Sequence, residues 1–176
     1  MNAAMEVRST EVGAPRTLAE FMALAVAMET EAAQRYAELA DAMEMANNVE
    51  VAELFRRMEN IERGHARKLA ADMGWRDAPH PAAPGAEGAE TPAMEDVHYL
   101  MQPYHALAIA LDCEEHAQRF YANLAHDAVD DAVREAARTL EEEERGHVAL
   151  VRAWMAKVDK PSDNWSDDPD PPRYTD

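Results

Sequence analysis

Apolar residues recur at heptad spacing through four stretches of this chain, a pattern that predicts four amphipathic helices. In the first, Leu18, Ala25, Ala32 and Leu39 form one row, with Met22, Glu29, Tyr36 and Met43 interleaved. The second carries Phe55, Glu62 and Leu69 with Val51, Met58 and His65. The third carries Ala110, Ala117 and Leu124 with Leu107, Glu114 and Tyr121, and the fourth Ala137, Glu144 and Val151 with Val133, Leu140, His147 and Trp154. Such paired rows are the seams of a left-handed bundle. Each seam is apolar except at mid-helix, where a Glu or a Glu/His pair stands among small and aliphatic residues.

The boundaries follow from local signals. Thr17-Leu-Ala-Glu20 reads as a capping box, and the first helix is expected to run to about Ala46. Asn47 and Asn48 break it and can cap the second helix, which stops at Gly74. The third is expected from Pro103 to about Ala128, the fourth from Asp131 to about Lys157, with a short helix from Pro92 to Met101 opened by Thr91-Pro92. Residues 75–93, rich in Pro, Gly and Ala, read as a long linker between two pairs of helices. Residues 1–16 form a flexible N-terminus, and the acidic, proline-rich residues 159–176 a disordered or loosely docked tail. The connection within each pair is short, so each pair is an antiparallel hairpin. The expected architecture is all-α: one four-helix bundle over residues 17–158, two hairpins joined by a crossover.

Composition agrees, being dominated by good helix formers and lacking the β-branched and aromatic runs a sheet needs. The 35 acidic residues outnumber the 17 basic ones, a net charge of −18 that excludes nucleic acid as a partner and gathers cations. The single Cys113 excludes an intrachain disulfide and any site built on paired thiolates. The N-terminus does not resemble a signal peptide, and the longest apolar run, Ala106 to Leu111, is too short to span a bilayer. A cytoplasmic location without membrane contact is therefore expected.

Comparing the two halves brings out the chemistry. Glu29, Ala32 and Tyr36 are matched at equal spacing by Glu114, Ala117 and Tyr121. Glu59-x-x-Glu62-Arg-Gly-His65 is matched by Glu141-x-x-Glu144-Arg-Gly-His147, so the hairpin is internally duplicated. Glu and His three residues apart share one helical face. Two such pairs, with Glu29 and Glu114 from the other helices, supply six ligands to two metal ions. Four ionised carboxylates in mid-bundle would be prohibitively costly unpaired, and two divalent cations would cancel their charge. Oxygen with imidazole suits iron or manganese better than thiolate-seeking metals.

Taken together these motifs resemble the ferritin-like domain of rubrerythrin, over roughly residues 17–157. The resemblance implies that Glu29, Glu62, Glu114 and Glu144 are metal carboxylates and His65 and His147 nitrogen ligands. It further implies that Glu62 and Glu144 bridge two iron ions and that Tyr36 and Tyr121 sit just behind the ligands. The implied activity is oxidation of Fe(II) with reduction of hydrogen peroxide or dioxygen, in oxidative-stress defence or iron handling. Two departures qualify it. Rubrerythrin has a further glutamate where this chain has Ala117, an acid tied to its peroxidase cycle; the set here is more symmetric, closer to the bacterioferritin type. The rubredoxin domain is missing too, so electrons would come from a separate, rubredoxin-like donor. A homodimer or higher homo-oligomer is expected, and manganese or zinc are alternative occupants.

Competing readings stay open at this level. The site could serve iron storage or delivery without turnover, a di-manganese catalase-like reaction, or oxidation of an organic substrate, and a metal-free structural bundle is the last alternative. A single Glu/His pair is more often solvated surface, but a repeated pair on core seams is not. Tyr36 and Tyr121 could be bundle tyrosines with a polar handle. Glu59 and Glu141 read as solvated glutamates or as the mark of an ion entry path, the two acids after Glu141 as surface charge, Cys113 as a small buried or half-buried residue, and His80, His98, His105, His116 and His126 receive no role. Trp165 and Tyr174 could dock the tail onto a partner or shell protein.

Overall fold

The computed structural model describes residues 15–79 and 98–167. They form four helices and no strand: α1 (Leu18–Met45), α2 (Val49–Asp72), α3 (Pro103–Asp127) and α4 (Asp131–Met155). α1 packs along α2 and α3 along α4, while the two hairpins meet more sparsely. This is the all-α, ferritin-like bundle that the seams predict.

Each helix end has a chemical reason. Thr17 Oγ1 accepts from Glu20 N at 3.2 Å, but the Glu20 carboxylate turns back one residue further than expected, to Arg16 N at 2.8 Å. Asn47 takes the left-handed conformation between α1 and α2 (φ 56°). Asn48 then works twice, its Oδ1 accepting from Val51 N and its Nδ2 donating to Met101 O at 2.6 Å. That second bond ties the α1–α2 turn to the residues that lead into α3. Gly74 (φ 69°) ends α2, with Trp75 N donating back to Ala70 O at 2.8 Å. Pro103 opens α3, and Asp130 Oδ1 caps α4 by accepting from Val133 N at 3.0 Å.

The short helix expected from Pro92 lies mostly outside the described residues; at its end, His98–Met101 form a turn instead. Leu18, assigned to a seam, is exposed at the first turn of α1. Part of the tail is docked: Trp165 lies 3.8 Å from His105 and edge-on to His98 at 5.5 Å. No helix among the described residues is long and apolar enough to cross a membrane.

The core divides into two apolar clusters. One contains Phe21, Met28, Leu69, Tyr121, Val133 and Leu140; the other Tyr36, Leu39, Phe55, Met58, Leu107 and Val151. Between them, at mid-bundle, the seams turn polar.

Candidate metal centre

Glu29, Glu62, Glu114 and Glu144 are buried, none exposing more than 4% of its surface. Carboxylates at this depth require cations or protons. The helices place them in two trios, Glu29–Glu62–His65 and Glu114–Glu144–His147, and within each trio the potential ligand atoms lie within 4.8 Å of one another. Each trio comes wholly from one hairpin. The two meet where the rings of His65 and His147 stack, centroids 4.4 Å apart and planes 7° from parallel. All six residues read from the sequence as ligands are thus brought together in one place.

The trios differ in how they satisfy themselves without a cation. His147 Nδ1 donates to Glu144 Oε2 at 3.0 Å and lies 3.3 Å from Glu114 Oε2. Burial opposes its charge, but the Glu114 and Glu144 carboxylates outweigh burial and lift its pKa to about 10. Burial raises Glu114 to about 8, aided by the charges of Glu62 and Glu144 and opposed by the His147 hydrogen bond. In the other trio, His65 Nδ1 stands 3.5 Å from Glu62 Oε2 and 3.6 Å from Glu29 Oε2. Those contacts are electrostatic rather than well-formed hydrogen bonds, and His65 Nδ1 and Glu62 Oε1 are left buried without a hydrogen-bond partner. Burial also pushes Glu62 up, yet His65 and Glu29 beside it prevail and hold its pKa below the ordinary value.

This donor set fits two metal ions. Four buried carboxylate groups converge with two imidazoles, some of the ligand atoms are orphaned, and the metal-free site retains protons that a divalent cation would displace. Oxygen and nitrogen donors without thiolate suit hard or borderline ions.

Around the trios, Tyr36 is fully buried against Phe55 (ring centroids 6.2 Å), and Tyr121 packs edge-on to Phe21 at 6.2 Å. The tyrosines therefore sit in opposite clusters, one on each side of the carboxylates. Burial and then the charges of Cys113, Glu114 and Glu62 hold the Tyr36 phenol well above its usual pKa. The acids that precede Glu62 and Glu144 are ion-paired: Glu59, only 12% exposed, pairs with Arg56 and Arg63, and Glu141 and Glu142 pair with Arg145. Glu143 pairs with Lys68 across the two hairpins. Cys113 faces the same small cavity as Tyr36, Glu62, Glu114 and Glu144, a proximity its adjacency to Glu114 alone does not reveal.

The Rubrerythrin family model matches residues 20–155. The crystal structure of an uncharacterized conserved protein from Magnetospirillum magnetotacticum MS-1 is 38% identical and superposes with a TM-score of 0.65, covering 83% of this chain and 98% of that one. No curated protein matches the chain.

Proposed function

This chain belongs to the rubrerythrin family, and from that premise we propose that it is a di-iron oxidoreductase coupling Fe(II) oxidation to reduction of hydrogen peroxide or dioxygen. The observation that carries the reading is the pair of Glu–Glu–His trios, their glutamates buried, in contact at mid-bundle. Glu29, Glu62 and His65 would hold one ion and Glu114, Glu144 and His147 the other, with Glu62 and Glu144 as the bridging candidates. When bound, iron supplies a reversible one-electron change at each position, two electrons for one small oxidant.

The protein's own contribution is placement and charge balance. The carboxylates balance cationic charge in a medium where water cannot. The two apolar clusters flank the carboxylates above and below, while His65 and His147 keep 23% and 16% of their side chains open to solvent. Tyr36 places a phenol proton next to Glu62 and Glu114. His147 and Glu114 hold protons before metal arrives and would release them to solvent as metal takes their place. Ala117, buried one turn beyond Glu114, supplies no extra carboxylate, which favours ferroxidase-type oxidation over the full peroxidase cycle.

The test is metal content after anaerobic Fe(II) loading and desalting, in the wild type and in E62A/E144A. Two irons per wild-type chain, lost in the double variant, would support the reading. Equal retention in both would overturn it.

A further inference from the structure

The four glutamates of the centre are buried, but the two imidazoles are only half-buried. The centre therefore meets solvent where the rings of His65 and His147 stack, along the line on which α2 faces α4. Above and below, the apolar clusters fill the bundle. The backbones of α2 and α4 scarcely approach each other, so the gap between them is bridged by side chains.

A charged contact spans this same line. Lys68 follows His65 by three residues and Glu143 precedes His147 by four, so each lies one turn from its histidine on the same helical face. Lys68 Nζ donates to Glu143 Oε1 and thereby joins the first hairpin to the second beside the stacked rings. The internal duplication shows that the fold does not require this pair. At the offset that relates His65 to His147, Lys68 is matched by Leu150 and Glu143 by Ile61. Neither aliphatic residue can form an ion pair, so the charged contact is an addition to the duplicated frame.

We propose that Lys68 and Glu143 form a latch across the histidine face, and that metal ions enter and leave the centre between α2 and α4 when this pair opens. Lys68 is exposed and Glu143 half-buried, so water and salt screen the pair and hold it closed only weakly. A weak contact suits a latch that must open often. Removing it should change a rate by about two- to fivefold, the range of an exposed ion pair. The inference rests on the metal centre of the proposed function and not on its oxidation chemistry.

Zinc exchange tests the latch without redox chemistry. Uptake of Zn(II) by metal-free protein, and release of bound Zn(II) to excess chelator, are followed by stopped flow. The proteins compared are the wild type, K68M, E143Q and the charge swap K68E/E143K, with circular dichroism as the folding control. Each single variant is expected to speed uptake and release together, about two- to fivefold, at unchanged zinc content. The swap is expected to return both rates to those of the wild type. Opposite effects of K68M and E143Q on uptake would mean that the two charges act separately on the approaching cation, and would overturn the latch. Unchanged rates in both single variants, or a swap as fast as the singles, would overturn it too. A wild type that binds no metal would defeat the proposed centre itself, and the latch with it.

Discussion

His65 and His147 stack with their rings 7° from parallel, yet each turns its Nδ1 toward the carboxylates of its own hairpin. The stack is the seam at which two separately complete trios touch. The two trios are unequal electrostatically: the Glu114 and Glu144 carboxylates raise the pKa of His147, while the adjacent ring stands further from its acids.

Stability of the metal-free protein should fall as pH rises. The folded pKa of His147 is raised from 6.5 to about 10 and that of Glu114 from 4.5 to about 8. A raised value means the contribution is complete below the ordinary pKa and is lost as pH climbs through the folded one. Glu62, held low, acts oppositely, losing its contribution as pH falls below 4.5. Thermal melts of metal-free protein should therefore decline from about pH 4.5, where Glu114 begins to lose its contribution, to about pH 10, where His147 has lost its own, and saturating metal should flatten the trend. Calorimetry in buffers of different ionisation enthalpy should show protons released on metal binding; no release would contradict the protonated site.

Each ion should be removable alone. E29A/H65A leaves the trio of the second hairpin intact, and E114A/H147A that of the first, so each double variant should retain one iron per chain. Metal analysis with circular dichroism as the folding control checks this. Loss of both ions from either variant would mean that the trios bind only as a unit.

Replacing Ala117 with Glu should destabilise the metal-free fold. Ala117 exposes 1% of its surface and lies one turn past Glu114, so the new carboxyl would enter a filled position beside acids that already retain protons. A loss of about 2–4 kcal/mol in urea unfolding is expected, partly recovered on metal loading.

At Gly74 the cost should be purely conformational. An added Cβ meets nothing within 4 Å, but φ is +69°. G74A should therefore cost about 1 kcal/mol, a fall of about 2–4 °C in Tm.

Much of this was legible in the sequence because function had to break a pattern. A glutamate on an apolar seam conflicts with burial, and the conflict recurs at Glu29, Glu62, Glu114 and Glu144. The repeated Glu-Arg-Gly-His string settled the facing of both histidines. What the sequence hides are contacts between helices whose relative rotation no heptad specifies. Cys113 reads as filler until α3 is set against α1 and its side chain meets Tyr36. Trp165 offered only a possible anchor, and its seat on His98 and His105 depends on where the turn before α3 lies. The protonation of His147 is likewise invisible, since His65 sits in the same local motif.

Because each trio is completed within its own hairpin, no ligand depends on an unbroken chain between Asp72 and Pro103. Cleaved there, the molecule would become a heterodimer with metal ions at its interface, and affinity between the fragments would rise with metal concentration. The same logic runs backwards in time. Two copies of one hairpin would suffice to build a symmetric centre, and joined in one chain the copies can differ, as Met28 and Cys113 do at matched positions.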